Sequence, residues 1–451
     1  MQIENLLVDL ATRLLPAVPI EGRIQPMSLH ERMAYHNVPG VSLALSDGAS
    51  IATTALGSAD SGCQMTEGTI LQAASASKAI TAFLSLMMVE RGLLPLDSDL
   101  RPLLKSWMPE DASPFTLLQL ASHTAGFNVH GFDGYARDYG LPTLTQILGG
   151  EAPAKNAAIK QIAKPGTQFK YSGGGYTLLE LLLEDVCGRS FEELVKEYVF
   201  APLSMEASDF QPAPPHPLAA GFDANGERVQ GGHLVYPERA AAGLWTTPGD
   251  LVKFCNGVRK ALSGDGILSG ELAGLFTKPQ DDLGVMNFGF FNGPGGWIEH
   301  GGANAGFRVQ MWLCDHHALA IISNGDGGSL LNREILHGLA QMAGWDEIMP
   351  TPAIPCHLER RSAESFCGGY VFAGDSGIGV PVCEIFMRNG ALHFSVEDEW
   401  FELVHVGDGA FIVPTRPGFR VVMDGEQLAL LIYEDVFRAS RQNCAGVDAQ
   451  S

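Results

Sequence analysis

Two groups of strand-like segments bracket a long helical middle, and this arrangement limits the folds open to the chain. Residues 41–45 and 51–56 have the pattern of a strand pair, and residues 307–313 and 319–322 have the pattern of a second pair. Residues 73–265 instead show the 3.6-residue helical period. We therefore expect an α+β fold, in which one antiparallel sheet flanked by helices is built from both ends, with an all-helical subdomain beside it. The cleft between them is the expected functional site.

A proline-rich segment divides the sequence near residue 350. Residues 349–355 contain three prolines in seven positions, which excludes a helix or a central strand. The sequence beyond them has short strand-like runs separated by turns, which is typical of a small β-barrel. These runs are 380–382, 384–387, 391–396, 411–413, 419–423 and 428–432. We expect domains at 1–348 and 356–451, joined by this segment.

Charge and composition exclude several classes of partner. The 451 residues include 29 Lys and Arg against 51 Asp and Glu, so the net charge is −22, which opposes binding to nucleic acid or to anionic membranes. A hydrophobic fraction of 46% with 18% charged residues is that of a folded protein. The N-terminal segment lacks the basic start of a signal peptide, and the eight cysteines form no CxxC pair. We expect a cytoplasmic protein with free thiols; a homo-oligomer is left open.

The first candidate for chemistry is Ser75-Ala-Ser-Lys78, at the expected start of a long apolar helix. A serine and a lysine three residues apart share one helical face. A partly buried lysine can lose its proton and act as base toward the hydroxyl. The alternative is that Ser75 caps the helix and Lys78 is solvated, with Ser77 competing for the cap.

Two glycine-rich turns are the other candidates. Tyr171-Ser-Gly-Gly-Gly-Tyr176 enters a predicted helix, and its glycines can present Tyr171 to the cleft as a general base. His300-Gly-Gly-Ala-Asn-Ala-Gly306 precedes a strand, where a backbone N–H can face a developing oxyanion. His300 could donate to that site or move protons. For the Tyr171 turn the alternative is a phosphate loop or a simple turn with a packed tyrosine, and for the His300 turn it is a turn whose histidine caps a neighbour.

Together these motifs, in this order, resemble the serine β-lactamase and penicillin-binding protein superfamily, in its class C-like esterase, D-aminopeptidase and transacylase branch. The resemblance covers about the first 350 residues. Supporting segments are 38–41, 120–126, 165–173, 201–205 and 243–251. The tail after residue 355 resembles the lipocalin-like C-terminal domain of some members.

The resemblance implies roles for individual residues. Ser75 is then the nucleophile, Lys78 its base partner and Tyr171 the general base or acid, with His300 at the start of the third motif. The backbone N–H groups of Ser75 and Ala303 form the oxyanion hole. Residues that bind the substrate are expected to be Gly173, Gly301, Gly302, Asn304 and Phe127. His123 is expected to be structural, and residues 127–139 to line the cleft.

Two departures from the family pattern favour esters. Gly173 stands where the family often has an asparagine that holds an acylamino group, and His300 stands where it often has a lysine. A histidine is less fully charged at neutral pH, so its grip on a substrate carboxylate is weaker. We therefore expect a serine hydrolase or acyltransferase acting on a small ester, thioester or peptide-like substrate, without metal or cofactor. The alternatives are a β-lactamase or D-amino-acid peptidase, a cytosolic transacylase or stand-alone thioesterase, and a non-catalytic binding protein.

Two further motifs are expected to be turns. Gly374-Asp-Ser-Gly377 matches the chymotrypsin nucleophile motif but lies in the small domain, without a suitable histidine segment. Cys314-Asp-His-His317 lies between two predicted strands and has no second ligand cluster, which favours a turn over a metal site.

Overall fold

In a computed structural model the chain is described over residues 2–210, 217–279, 285–372, 382–396, 399–416, 418–432 and 435–442. It divides into two compact units. The first comprises residues 1–11 and 28–332, and the second comprises residues 12–27 and 333–451. The predicted division into domains at residues 349–355 stays a prediction. The predicted motif at 374–377 lies outside the described residues.

The helices of the described chain are mostly short. The α-helices are α1 Ile3–Asp9, α2 Leu29–Tyr35, α3 Ser77–Glu90, α4 Leu117–Ala121, α5 Leu144–Gly149, α6 Gly173–Cys187, α7 Phe191–Val195, α8 Arg239–Ala242, α9 Pro248–Leu262, α10 Gly270–Ala273, α11 Gly328–Ala343 and α12 Arg360–Phe366. Single 3₁₀ turns lie at Leu10–Thr12, Arg101–Leu103, Gly274–Phe276 and Pro294–Gly296, and a π-helical turn lies at Lys196–Phe200. In the part of the chain described here, no helix has the length and apolar character needed to cross a membrane.

The first unit is built on an antiparallel sheet. Its strands are β1 Gly40–Ser46, β2 Ile51–Asp60, β3 Cys63–Gln64, β4 Leu71–Ala74, β5 Leu244–Thr246, β6 Phe291–Asn292, β7 Ile298–Asn304, β8 Phe307–Leu313 and β9 Ala318–Ser323. Over the described residues, seven of them are ordered β3-β2-β1-β9-β8-β7-β6, and β4 pairs with β5 separately. Since β1 pairs with β9, the predicted sheet built from both ends is confirmed.

Both central strands of this sheet are buried along their whole length. Burial on both faces explains why residues 41–45 and 319–322, apart from Ser42, are apolar without strict alternation. Helix α9 covers this part of the sheet through contacts with β1 and β9. Residues 314–317 form the turn between β8 and β9, as predicted for the Cys-Asp-His-His run.

The helices α3 and α6 carry the first two candidate motifs. Helix α3 begins at Ser77, two residues later than predicted, and its residues 77–88 are all buried. Helix α6 begins at Gly173, inside the glycine-rich turn, and ends before Gly188, whose φ of 65° makes it a left-handed helix cap. A capping box formed by Ser190 and Glu193 begins α7.

The second unit contains a closed barrel, which confirms the predicted C-terminal β-barrel. Its strands are β10 Gly368–Phe372, β11 Val382–Arg388, β12 Ala391–Val396, β13 Glu399–His405, β14 Ala410–Ile412, β15 Phe419–Asp424, β16 Gln427–Ile432 and β17 Asp435–Arg441. Each described strand pairs with the next in sequence, and β10 pairs with β17 to close the barrel. Residues 380–381 of the predicted strand 380–382 lie outside the described residues.

The barrel interior is filled by side chains. Buried residues from all eight strands in the described part of the barrel form one apolar cluster, which includes Tyr370, Phe394 and Phe411. The interior of a small barrel is just wide enough to be filled by its own side chains. Their close packing stabilises the second unit. The sequence patterns missed β10, β13 and β17, whose alternation is weaker.

Candidate active site

Ser75 lies in the turn that connects β4 to α3. Ala74, the residue before it, has a φ of 43°, which is rare for a residue with a side chain. This left-handed residue reverses the chain between strand and helix and leaves Ser75 partly exposed. Such conformations are common at functional sites, where the surrounding structure holds the strain.

Lys78 lies beside Ser75 and is buried. Its Nζ is 3.0 Å from the Ser75 Oγ and donates a second hydrogen bond of 2.7 Å to the carbonyl of Ala241 in α8. The residue is only 2% exposed, and burial lowers the pKa of Lys78 to about 7. A large fraction of Lys78 is therefore neutral near pH 7 and can accept the Ser75 proton.

The alternative of a solvated lysine and a capping serine is wrong. Ala76, not Ser75, is at the N-cap position of α3, and Lys78 is among the largest fully buried side chains. Ser77 instead fixes the turn, because its Oγ donates to the Ala74 carbonyl at 2.5 Å and accepts from the Leu244 amide at 3.0 Å.

Tyr171 lies over the Lys78 amine. The Lys78 Nζ is 5.0 Å from the centre of the Tyr171 ring. Burial raises the pKa of Tyr171 above its ordinary value. A hydrogen bond with Ser75 acts in the opposite direction, but its effect on the pKa is smaller than that of burial. The resting side chain is thus a neutral phenol, not the phenolate that could have served as a base.

His123 is the site residue whose importance the sequence analysis underestimated. Its ring centre is 4.2 Å from that of Tyr171, its Nδ1 accepts from the Ser172 amide at 3.0 Å, and its carbonyl accepts from the Lys170 amide at 2.8 Å. It therefore holds the backbone on both sides of Tyr171. Because Nδ1 is an acceptor, the proton of the neutral ring lies on Nε2, which has no partner among the described residues.

Several causes keep the His123 ring neutral. Burial, followed by the charges of Lys78, His300 and His130, lowers the pKa of His123 well below its ordinary value. His123 also has a φ of 60°. This backbone conformation depends on the fold, so the sequence did not reveal it; the only available signal was the segment 120–126 that carries the family resemblance.

His300 is on β7, buried, and neutral at pH 7. Its Nδ1 donates to the Gly301 carbonyl at 2.7 Å, which leaves Nε2 as an acceptor. Burial and the nearby Lys78 lower the pKa of His300 to about 3. A histidine was expected to be less fully charged than the lysine that the family often has at this position. The His300 ring in fact carries no charge at pH 7. Its ring centre is 6.5 Å from that of Tyr171, so it lies in the same cluster.

The strand β7 passes close to the Ser75 backbone. A Cβ added to Gly302 would lie 2.6 Å from the Ser75 nitrogen and 3.0 Å from the Ala73 carbonyl. Only glycine fits this approach, which brings the exposed Ala303 beside the turn that carries Ser75. Gly301 has space around it, since its nearest neighbour would be the Val309 carbonyl at 3.5 Å.

Two residues expected to bind substrate are engaged elsewhere. The Asn304 amide donates to the Gln72 side chain at 2.8 Å and to the Ala242 carbonyl at 3.1 Å, so it ties β7 to β4 and α8. Phe127 is 1% exposed and packs edge-on against Phe115. A side chain in this position has no free surface, so we leave Phe127 out of the proposed substrate site.

Glu238 is a buried acid that the sequence analysis did not consider. It lies just before α8, is 0% exposed, and its carboxylate has no hydrogen-bond partner among the described residues apart from its own backbone N–H. Burial, and to a lesser degree the charge of Glu180, raises the pKa of Glu238 to about 8. The side chain is therefore mainly protonated at pH 7. No cluster of three or more His, Cys, Asp or Glu side chains suited to a metal is found over the described residues.

The comparison with protein families agrees with this geometry. A family model described as beta-lactamase matches residues 28–339, which is more than half of the chain. The chain belongs to the beta-lactamase family.

Relatives of this beta-lactamase family member differ in substrate. A D-aminopeptidase of Brucella anthropi is 30% identical over 181 residues, which are 37% of this chain and 33% of that protein. A lovastatin esterase of Penicillium rubens is 28% identical over 237 residues, which are 44% of this chain and 56% of that protein. The chain thus spans between a third and just over half of the length of these curated relatives.

A solved structure shares the fold over most of the chain. The octameric penicillin-binding protein homologue of Pyrococcus abyssi matches with a TM-score of 0.63 and 20% identity. The match covers 91% of this chain and 98% of that chain. At this identity the likeness concerns the fold alone.

Proposed function

We propose that this protein forms an acyl-enzyme on Ser75 and acts mainly on carboxylic esters, with thioesters and amides as weaker substrates. The observation that carries the proposal is the contact of 3.0 Å between the Lys78 amine and the Ser75 hydroxyl. The burial that lowers the pKa of Lys78 to about 7 supplies a neutral base beside the nucleophile.

The first step transfers the acyl group to the protein. The Ser75 Oγ attacks the carbonyl carbon while neutral Lys78 takes the hydroxyl proton. Backbone N–H groups of Ser75 and Ala303 stabilise the oxyanion. The tetrahedral intermediate then expels the alcohol, whose oxygen receives a proton from the Tyr171 phenol, and the Lys78 proton returns to Tyr171.

The second step releases the acyl group. Water, or another alcohol or amine, attacks the acyl carbon and gives a proton through Tyr171 to Lys78. The bond to the Ser75 Oγ breaks, and this oxygen regains its proton from Lys78. Hydrolysis and acyl transfer differ only in the nucleophile of this step.

Neutral substrates are favoured by two features of the site. His300 carries no charge at pH 7, so it gives no ionic contact to a carboxylate. Gly173 offers no side-chain amide to an acylamino group. The lovastatin esterase relative supports the preference for esters. The D-aminopeptidase relative makes hydrolysis of D-amino-acid amides the second candidate.

One experiment compares these candidates. The protein and its Ser75→Ala variant are incubated with p-nitrophenyl butyrate, nitrocefin and D-alanyl p-nitroanilide, and a fluorophosphonate adduct is located by mass spectrometry. We expect turnover of the butyrate, a mass increase on Ser75 and neither result in the variant. Absence of turnover and of the adduct would overturn the proposal, while faster turnover of the anilide would favour the second candidate.

We also propose that residues 349–355 join two separate domains and that the protein forms a homo-oligomer. An octamer is described for the homologue of Pyrococcus abyssi. Limited proteolysis should cut first within 349–355, and light scattering should give a mass above that of one chain. Cleavage elsewhere, or a monomer, would contradict these two proposals respectively.

A further inference from the structure

Three aromatic side chains that are not fully buried lie beside Tyr171 or beside Gly173, and they are defined here as the aromatic wall: His130, Phe132 and Phe291. The ring of His130 lies 4.9 Å from that of Tyr171, and the ring of Phe291 lies nearly parallel to it at 6.1 Å. Neither phenylalanine is fully buried. An aromatic surface that remains accessible beside a reactive serine can bind an apolar group.

Phe132 fills the space beside Gly173. A Cβ built on Gly173 would lie 2.9 Å from the Phe132 Cε2 and 3.0 Å from the His130 carbonyl. The ring therefore occupies the volume that a side chain at position 173 would need. At position 173, two residues after Tyr171, the site therefore has the edge of the Phe132 ring and no hydrogen-bonding side chain.

The two histidines of this region, His130 in the wall and His300 beside Phe291, hold a proton less readily than an ordinary histidine. Burial and the charge of Lys78 lower the pKa of both His130 and His300, and Lys170 adds to the effect on His130. Neutral imidazoles and phenyl rings gain little from a charged group that must lose its water. The chemistry of the wall thus matches an apolar group.

We propose that the aromatic wall binds an apolar group of the substrate next to the ester bond, with Phe132 as the residue that determines specificity. The inference rests on the proposed function and names its substrate class: esters that carry an aliphatic or aryl group beside the reacting carbonyl or on the alcohol. In a hydrophobic pocket each methylene group in contact changes kcat/KM by roughly 10-fold or more.

The test uses two ester series on the full-length protein. In one, p-nitrophenyl esters vary from acetate to octanoate; in the other, acetates vary in the alcohol from ethyl to phenethyl. p-Nitrophenyl valerate is also compared with p-nitrophenyl N-acetylglycinate, whose acyl chain has the same length but contains an amide. For each of these two esters the enzymatic rate is divided by the rate of its hydrolysis by hydroxide. We expect kcat/KM to rise about 10-fold or more along at least one series and to favour the valerate.

Variants of Phe132 make the test specific. Phe132→Ala should lower kcat/KM for the longest ester of the responsive series about 10-fold more than for the shortest ester of that series, whereas Phe132→Leu should keep the preference. Phe366→Ala is the matched control, because Phe366 is a partly buried phenylalanine of the second unit that packs on Phe411. Melting temperatures of all variants separate a loss of fold from a loss of specificity.

The outcomes for the inference and for the proposed function are distinct. Normal fluorophosphonate labelling of Ser75 with no chain-length preference, or with a preference that Phe132→Ala does not alter, overturns the aromatic wall alone. Absence of labelling in the wild-type protein overturns the proposed function itself.

Discussion

A side chain on Gly302 would place its first carbon 2.6 Å from the backbone nitrogen of Ser75. This close approach of β7 to the nucleophile brings together two segments that are more than 200 residues apart in sequence. The proposed oxyanion hole, and thus the reaction, depends on this approach.

We predict that Gly302→Ala lowers the rate of Ser75 acylation by about 10²–10³, the effect of losing one oxyanion donor. The added methyl group would force β7 away from Ser75. Gly301→Ala is the control, because its nearest neighbour would be the Val309 carbonyl at 3.5 Å, an ordinary contact. Stopped-flow acylation kinetics measure both variants, and equal rates would remove the backbone of β7 from the oxyanion hole.

The burial of Lys78 predicts the pH dependence of acylation. Lys78 has a pKa of about 7, so it is protonated and inactive as a base below that pH. The rate of Ser75 labelling should therefore rise with pH through about 7 and level off above 8. Lys78→Arg, which stays charged, should lose at least about 10² in rate together with the inflection. If the inflection persists in this variant, the group that titrates near pH 7 is not Lys78.

Loss of the Tyr171 hydroxyl should slow turnover. We predict that Tyr171→Phe lowers kcat by about 10²–10⁴, the usual effect of removing a proton-transfer group. Tyr139→Phe serves as the control, since Tyr139 is 42% exposed and the contact that its hydroxyl makes with the described residues is a long one of 3.4 Å to the Pro153 carbonyl. An unchanged kcat for Tyr171→Phe would exclude the phenol from the mechanism.

His123 should act by positioning Tyr171. His123→Phe keeps a ring but removes the acceptor for the Ser172 amide, and we expect kcat to fall about 10–10²-fold because misplaced groups are costly in catalysis. His123→Asn tolerates a positive φ and retains an acceptor, so it should recover part of the rate. The KM of a short ester should stay nearly constant in both. A purely structural role would instead lower the melting temperature without this difference in kcat.

Glu238 should make the fold less stable at alkaline pH. Its pKa of about 8 lies above the value of 4.5 for an ordinary glutamic acid, so the folded state holds a proton that the unfolded state releases between these values. The free energy of unfolding therefore falls as pH rises from about 5 to 8, by at most about 1.4 kcal/mol per pH unit.

Glu238→Gln should reduce this slope. Urea denaturation at pH 5 and pH 8.5 would show the variant relatively more stable at the higher pH. Some slope of the same sign should remain, because the pKa of buried Glu180 is also raised, to about 7. The exposed Glu227 provides the control, Glu227→Gln. A stability difference that is equal at both pH values would mean that Glu238 is ionised in the folded state.

Much of the first unit could be predicted from patterns of apolar residues. Burial of both faces made β1 and β9 recognisable, and the start of α7 and the end of α6 coincide with local capping residues, Ser190 with Glu193 and Gly188. In the barrel the alternation was clear only in some strands, so β10, β13 and β17 were missed. Two-residue strands such as β3 and β6 have no pattern to detect, since they depend on tertiary pairing.

In the candidate site the sequence pointed to residue types but not to their surroundings. Ser75 and Lys78 were recognisable from their spacing, whereas the burial that changes the acidity of Lys78 depends on helices distant in sequence. Phe127 was expected to bind substrate from its position in the sequence, but it belongs to the core. The residue type alone could not separate these two positions. The importance of His123 depends on a left-handed backbone and on a contact with Tyr171, and neither follows from local sequence.

The pairing of β1 with β9 has a consequence for synthesis on the ribosome. About 270 residues separate the end of β1 from the start of β9. At the usual elongation rate of roughly 5–20 residues per second, β1 waits roughly 15–55 s for this partner. Until β9 has been made, β2 is the partner strand available to β1, and the edge of β1 that faces β9 in the folded sheet has no such partner. The nascent chain therefore needs its helices to shield that edge, or a chaperone, until the last strands of the sheet emerge.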